Sequence, residues 1–183
     1  MQAEHWYDAI DVFGDAMPAE GSPGRRDVTL WRVFAYARAR REAPVEQIAE
    51  ALREEAATVP LTPQEEARLL VAEAWLEWHE EAFGRAVLLA RRALGLDPRN
   101  PDAHVILGGY DELQHRDPTE HFRAAIAGDP PSVQAMGMLA AIGEMDAERC
   151  ALGRRYMAAA PEGSQASAVR ERVRTCPAAA AAR

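Results

Sequence analysis

The run from Arg85 to Pro101, Arg-Ala-Val-Leu-Leu-Ala-Arg-Arg-Ala-Leu-Gly-Leu-Asp-Pro-Arg-Asn-Pro, constrains the fold more than any other stretch. Ala86, Ala90 and Ala93 recur at helical spacing, so a neighbouring helix can approach closely, while Val87, Leu89 and Leu94 supply apolar bulk. Gly95 and Pro98 are expected to end this helix, the first by tolerating positive φ and the second by forbidding continuation. Asn100 is then placed to cap a new helix with Pro101 at its first position. A helix that small on one face must be packed against others, and it is followed at once by another.

The same punctuation recurs along the chain. Strand signals are missing and helical periodicity dominates. Ala3 to Met17 reads as an amphipathic helix with Trp6, Ala9, Ile10, Phe13 and Ala16 on one side. Pro18 to Arg26 is a loop by composition, and Asp27 is the expected cap of a helix reaching about Glu42, with Leu30, Trp31, Phe34 and Ala35 inward. Pro44 restarts the chain, and Ile48, Ala49, Leu52 and Ala56 carry the next apolar stripe. Thr62-Pro-Gln-Glu65 is a capping box with proline in the first turn. Its helix carries Leu69, Leu70, Ala74, Trp75 and Trp78. Further helices are expected from Asn100 to Leu113, from a cap at Asp117-Pro118, from Ser132 to Glu144, from Asp146 to Ala159 and from Gln165 to Thr175. Gly128-Asp-Pro-Pro131 and Pro161-Glu-Gly-Ser164 turn the chain between them.

These helices repeat. Pro98, Pro130 and Pro161 lie 32 and 31 residues apart, with Ala93, Ala125 and Tyr156 five positions before them. In the upstream helices Trp31 is followed by Phe34-Ala35, His104 by Leu107-Gly108, and Met136 by Leu139-Ala140. This resembles the tetratricopeptide repeat, a unit of about 34 residues with bulky-x2-Leu-Gly in its first helix and Ala-x3-Phe-x2-Ala-x4-Pro in its second. Ala67 to Asn100 is the clearest copy, though Glu73-Ala74 stands where Leu-Gly is expected. The next copy is about two residues short, and the last has Arg149 and Gly153 in place of Ala and Phe.

The resemblance implies an all-α superhelical array of antiparallel helix hairpins. It forms one domain over 1–177, with a half repeat at 3–18, repeats at about 27–60, 63–98, 100–130 and 132–161, and a closing helix at 164–176. Residues 178–183 read as a flexible Ala-rich tail.

Composition narrows the function classes. The formal charge is −8 and Arg supplies every positive charge, because there is no Lys. Such Arg usage with abundant Ala reflects genome composition rather than function. The acidic balance argues against a general nucleic-acid binder, and no apolar run approaches the roughly 18 residues of a membrane span. The first residues, Met1-Gln-Ala-Glu-His-Trp-Tyr, lack the basic and apolar regions of a signal peptide, so the expectation is a soluble cytoplasmic protein.

Such arrays generally bind other proteins in a concave groove lined by their first helices. Mapped onto this sequence, the groove would be lined by Arg32, Tyr36 and Arg40, then Arg68, Trp75, Trp78 and His79, then Ile106, Gly109 and Glu112, then Met138 and Met145. Trp, Tyr and Arg are common interface anchors, while Trp75 and Trp78 are also natural core residues. Many groove-binding relatives hold a C-terminal carboxylate with Lys and Asn. That clamp is missing here, for want of Lys and with Asn100 in a turn. Arg32, Arg40 and Arg68 offer bidentate donors to an acidic or phosphorylated segment, or simply a solvated face.

His5, His79, His104, His115 and His121 show no metal-ligand spacing, and no cofactor, metal or catalytic motif is expected. The Glu pairs at 54–55, 65–66 and 80–81 read as exposed helix surface. Cys150 and Cys176 each stand 13 residues from Gly163, at the same level of an antiparallel pair. They are either a disulfide, pointing to an oxidising compartment and a periplasmic or secreted protein whose leader was removed, or two unrelated thiols. The expected function is a non-catalytic scaffold or adaptor for a protein segment. The alternatives are a structural subunit of an envelope or secretion assembly and a peptide-sensing regulator.

Overall fold

The structure, a computed structural model, describes residues 9–13, 17–19, 22 and 24–176. The described residues are all-α, with no strand. From residue 25 onward the described helices are, in order, α1 Arg25–Arg38, α2 Glu42–Ala56, α3 Pro63–His79, α4 Phe83–Leu96, α5 Pro101–Leu113, α6 Thr119–Ile126, α7 Val133–Ala141, α8 Ala147–Ala159 and α9 Ala166–Val173. Of the N-terminal helix expected over Ala3–Met17, residues 9–13 are helical and Met17 is not. The other positions of that helix lie outside the described residues, as does the tail 178–183.

Helix starts follow side-chain chemistry. Thr62 accepts from the Glu65 N–H while Glu65 returns a bond to the Thr62 N–H, closing the capping box. Asn100, Ser132 and Asp146 cap α5, α7 and α8 by accepting from Ala103, Ala135 and Arg149 N–H. Two starts differ from the sequence reading. α1 begins two residues before Asp27, because Gly24 takes φ 84° and supplies the turn; Asp27 then sits in the first turn, where its charge still meets the positive helix end. α6 starts after Pro118, and the Asp117 carboxylate accepts from the Thr119 N–H at 3.0 Å.

Helix ends differ too. Gly95 lies inside α4 without a positive φ, and the terminating step is Asp97. Pro98 excludes helical geometry from the residue before it, and Asp97 is extended at φ −134°. α1 stops at Arg38 rather than near Glu42, since Arg40 takes φ 58° and the Arg41 N–H reaches back to Tyr36 O at 2.9 Å.

One continuous set of buried side chains runs from Leu30 to Val169. Ala86, Ala90 and Ala93 of α4 are fully buried, as their spacing predicts. Each helix packs on the next, and α1 also packs on α3, α3 on α5 and α7 on α9. Two neighbouring pairs use one device. In α5, Gly108 receives the Phe122 ring of α6; in α7, Gly137 receives the Tyr156 ring of α8. A Cβ at either glycine would stand 2.5–2.6 Å from ring carbon.

α9 closes the end of the chain's packing. It buries Ala166 and Val169, and Arg172 donates to the carbonyls of Ala140, Ile142 and Gly143 at the end of α7. Those carbonyls have no partner within α7, so a cation at this point satisfies donor need and helix dipole together. Cys150 and Cys176 are joined in a disulfide with Cα atoms 5.9 Å apart. Among the described residues no helix is long and apolar enough to cross a membrane.

Candidate functional site

A cavity of about 440 Å³ opens between α1, α3 and the first turns of α5 and α7. From α1 it takes Trp31, Phe34 and Arg38, spaced three and four residues apart on one helical face. α3 adds Gln64, Arg68 and Val71. The first turns of α5 and α7 add Pro101, Asp102, Val133 and Gln134, and Tyr156 and Gln165 close the far wall. The Tyr156 hydroxyl accepts from the Gln165 N–H at 3.0 Å, so this wall is tied to the start of α9. Proline makes the rim stiff: Pro101, Pro130 and Pro131 all border the opening.

Two guanidinium groups lie on aromatic faces in this region. Arg38 stands over the Trp75 ring at 3.8 Å and donates to Gln134 Oε1 at 2.9 Å. Arg68 stands over Trp31 at 5.2 Å and pairs with Asp27. Cation–π contact of this kind favours a guanidinium in a fixed orientation.

Arg38 and Asp102 are half-buried charged groups in the cavity lining. Burial lowers the Arg38 pKa to about 10, with the Asp102 charge opposing that shift. Burial raises the Asp102 carboxyl, against the pull of Arg38 and of the Trp75 indole N–H. Trp75 Nε1 is buried and completes no hydrogen bond of normal geometry, so the charge of Arg38 is the stronger restraint on Asp102. His79 stacks on Trp75 with ring centres 5.9 Å apart. Its pKa is lowered to about 4, first by burial and then by Arg40 and Arg38.

The residues expected in the groove fall into three places. Arg68 lines the cavity, and Trp75 lies behind it, 4% exposed, as the surface on which Arg38 rests. Ile106 is fully buried, and Trp78 is half-buried against Phe83, with ring centres 4.9 Å apart, and against the Gly109 backbone. Arg32, Tyr36, Arg40, His79, Glu112, Met138 and Met145 do not line the cavity. Arg32 lies 5.9 Å from the Tyr36 ring, while Arg40 and Glu112 are exposed.

The cavity face of α1 thus runs through 31, 34 and 38. Sequence reasoning assigned Trp31 and Phe34 to the interior, and it gave no role to Arg38, Asp102 or Gln134. The signal for Arg38 was its spacing of seven from Trp31, two turns along one face. Compared with family models, curated proteins and solved structures, the chain matches none.

Proposed function

We propose that this chain is a tetratricopeptide-like array of antiparallel helix pairs. In this reading it is a non-catalytic scaffold that holds a segment of a partner protein in the cavity between its first helices. Support for the array comes from the order of helix neighbours and from the repeated glycine–aromatic lock at Gly108/Phe122 and Gly137/Tyr156. The observation that carries the function is the cavity itself: apolar walls from Trp31, Phe34 and Val133, with two guanidiniums oriented by aromatic stacking. A large apolar surface with a few fixed polar groups is how a folded protein grips an extended segment with both affinity and direction.

The test is site-specific photo-crosslinking. A photoreactive amino acid replaces Gln64 on the cavity rim, or Arg85, an exposed residue of α4 away from it. The reading expects discrete adducts in source cells from position 64 that Trp31→Ala abolishes, and none from 85. Adducts from 85 alone would move the interface to the second helices and refute a cavity-binding scaffold.

A further inference from the structure

If the cavity holds a partner segment, as proposed above, the charges around it select the chemistry of that segment. The charged side chains in its lining are Arg38, Arg68, Asp97, Asp102 and Asp129. Both guanidiniums are already answered within the chain. Arg68 lies over Trp31 and pairs with Asp27. Arg38 lies over Trp75, donates to Gln134 at 2.9 Å and faces the charge of Asp102. Asp97 and Asp129 are different: among the described residues neither forms an ion pair with an Arg or His side chain.

These two carboxylates occupy one position of the repeat. Each precedes a proline that closes a helix pair, Pro98 and Pro130, 32 residues apart. The third such corner, Ala160-Pro161, also reaches the cavity through Ala160 and carries no charge. The acidic edge is therefore confined to the two corners that lead into α5 and α7. Asp97 is also the C-cap of α4, where a negative charge opposes the helix dipole. Its carboxylate accepts from the Arg99 N–H at 3.2 Å, a bond that the amide oxygen of asparagine would make as well. The charge itself does nothing to hold the helix it ends.

We propose that the cavity takes a cationic amphipathic segment, with apolar side chains between Trp31, Phe34 and Val133 and Arg or Lys side chains at the Asp97–Asp129 edge. An acidic or phosphorylated segment, one occupant that Arg68 suggested from the sequence, would meet two arginines already paired and two carboxylates that repel it. A basic side chain instead lays its methylene stem along the apolar wall and brings its charge to the rim. The formal charge of −8 adds attraction at long range. Asp129 is exposed and Asp97 half-buried, so each pair is worth only a few-fold in affinity. Apolar contact thus supplies the grip, and the carboxylates choose between partners.

The experiment is selection of phage-displayed random peptides on the immobilised full chain, with Trp31→Ala as the counter-selection. Val133→Gln, at a half-buried wall position, replaces it if Trp31→Ala does not keep its helical spectrum. Enriched peptides should combine apolar residues with an excess of Arg and Lys over Asp and Glu. A labelled copy of the most enriched peptide is then measured by fluorescence anisotropy. Exchange of its basic residues for Glu should weaken binding by more than about tenfold, and Asp97→Asn with Asp129→Asn by about fivefold, with a shallower salt dependence. Glu50→Gln with Glu54→Gln, which removes equal charge from the exposed face of α2, should stay within about twofold. Enrichment of neutral or acidic peptides that the wall variant abolishes would leave the cavity as the docking site and overturn its cationic preference. So would binding indifferent to the Asp97, Asp129 pair, or weakened equally by the α2 pair. No enrichment over the wall variant would overturn the cavity reading and this proposal together.

Discussion

Breaking the Cys150–Cys176 disulfide tests how α9 is held. The bond closes a loop of 26 residues between α8 and the end of α9. On a chain-entropy basis such a loop is worth about 3.5 kcal/mol of stability. If the protein unfolds as one unit, that is a fall in Tm of about 7–14 °C for a chain of this size. Arrays of packed helices need not unfold as one unit, and the terminal element is the natural place to open first.

What remains to hold α9 is modest. It buries Ala166 and Val169, and Arg172 keeps its bonds to the α7 carbonyls. Two small apolar side chains contribute about 2–3 kcal/mol, against the entropy of ordering eight helical residues. Loss of the bond should therefore release α9 before the rest. Thermal unfolding by circular dichroism and amide exchange, each with and without reductant, read the two effects separately. The Cys150→Ala, Cys176→Ala double variant serves as the reductant-free control. The expectation is faster exchange at 166–173, together with a loss at Gln165 that loosens the cavity wall. A Tm change under about 2 °C with unchanged exchange in α9 would refute the reasoning.

Other outcomes follow from single contacts. Gly108→Ala should cost about 1–3 kcal/mol by thermal melt, because its Cβ would stand 2.5 Å from Cε1 of the fully buried Phe122. Gly84→Ala, with open space around it in α4, should instead stabilise by up to about 1 kcal/mol. Asn100→Ala removes a buried cap that accepts from the Ala103 N–H at 3.0 Å, and should lower stability by about 1 kcal/mol in a denaturant titration. The pH dependence has a definite sign at His79. The unfolded side chain takes its proton near 6.5 and the folded one near 4, so acidification between these values favours the unfolded chain. Asp102, whose pKa is raised, works in the opposite direction. Melts of the wild type and His79→Gln across pH 4 to 6.5 hold Asp102 constant, and the variant should show the shallower slope.

The sequence alone determined the helices, most of their caps and the pairing of the cysteines as one of two readings. Each of these is local: Thr62 and Glu65 find one another within a turn, as do Asn100 and Ala103. Equal distances from the Gly163 turn made a Cys150–Cys176 bridge geometrically possible, with two unrelated thiols as the other reading. The period of Pro98, Pro130 and Pro161 carried the repeat reading for the same reason.

What the tertiary structure alone decided is which face of each helix meets the cavity. Arg38 rests on Trp75 and bonds Gln134, partners 37 and 96 residues away, and no periodicity within α1 names either. The rotation of α1 also separates Arg38 from Arg32 and Arg40, which are all polar on the same helix or its end and look alike in sequence. His104 and His121 are equally illegible, since the packing of α6 on α5 brings their rings together. Local hydrogen bonds are written in neighbouring residues, while the orientation of a helix is the sum of its packing against every neighbour, and that sum exists only once the chain has folded.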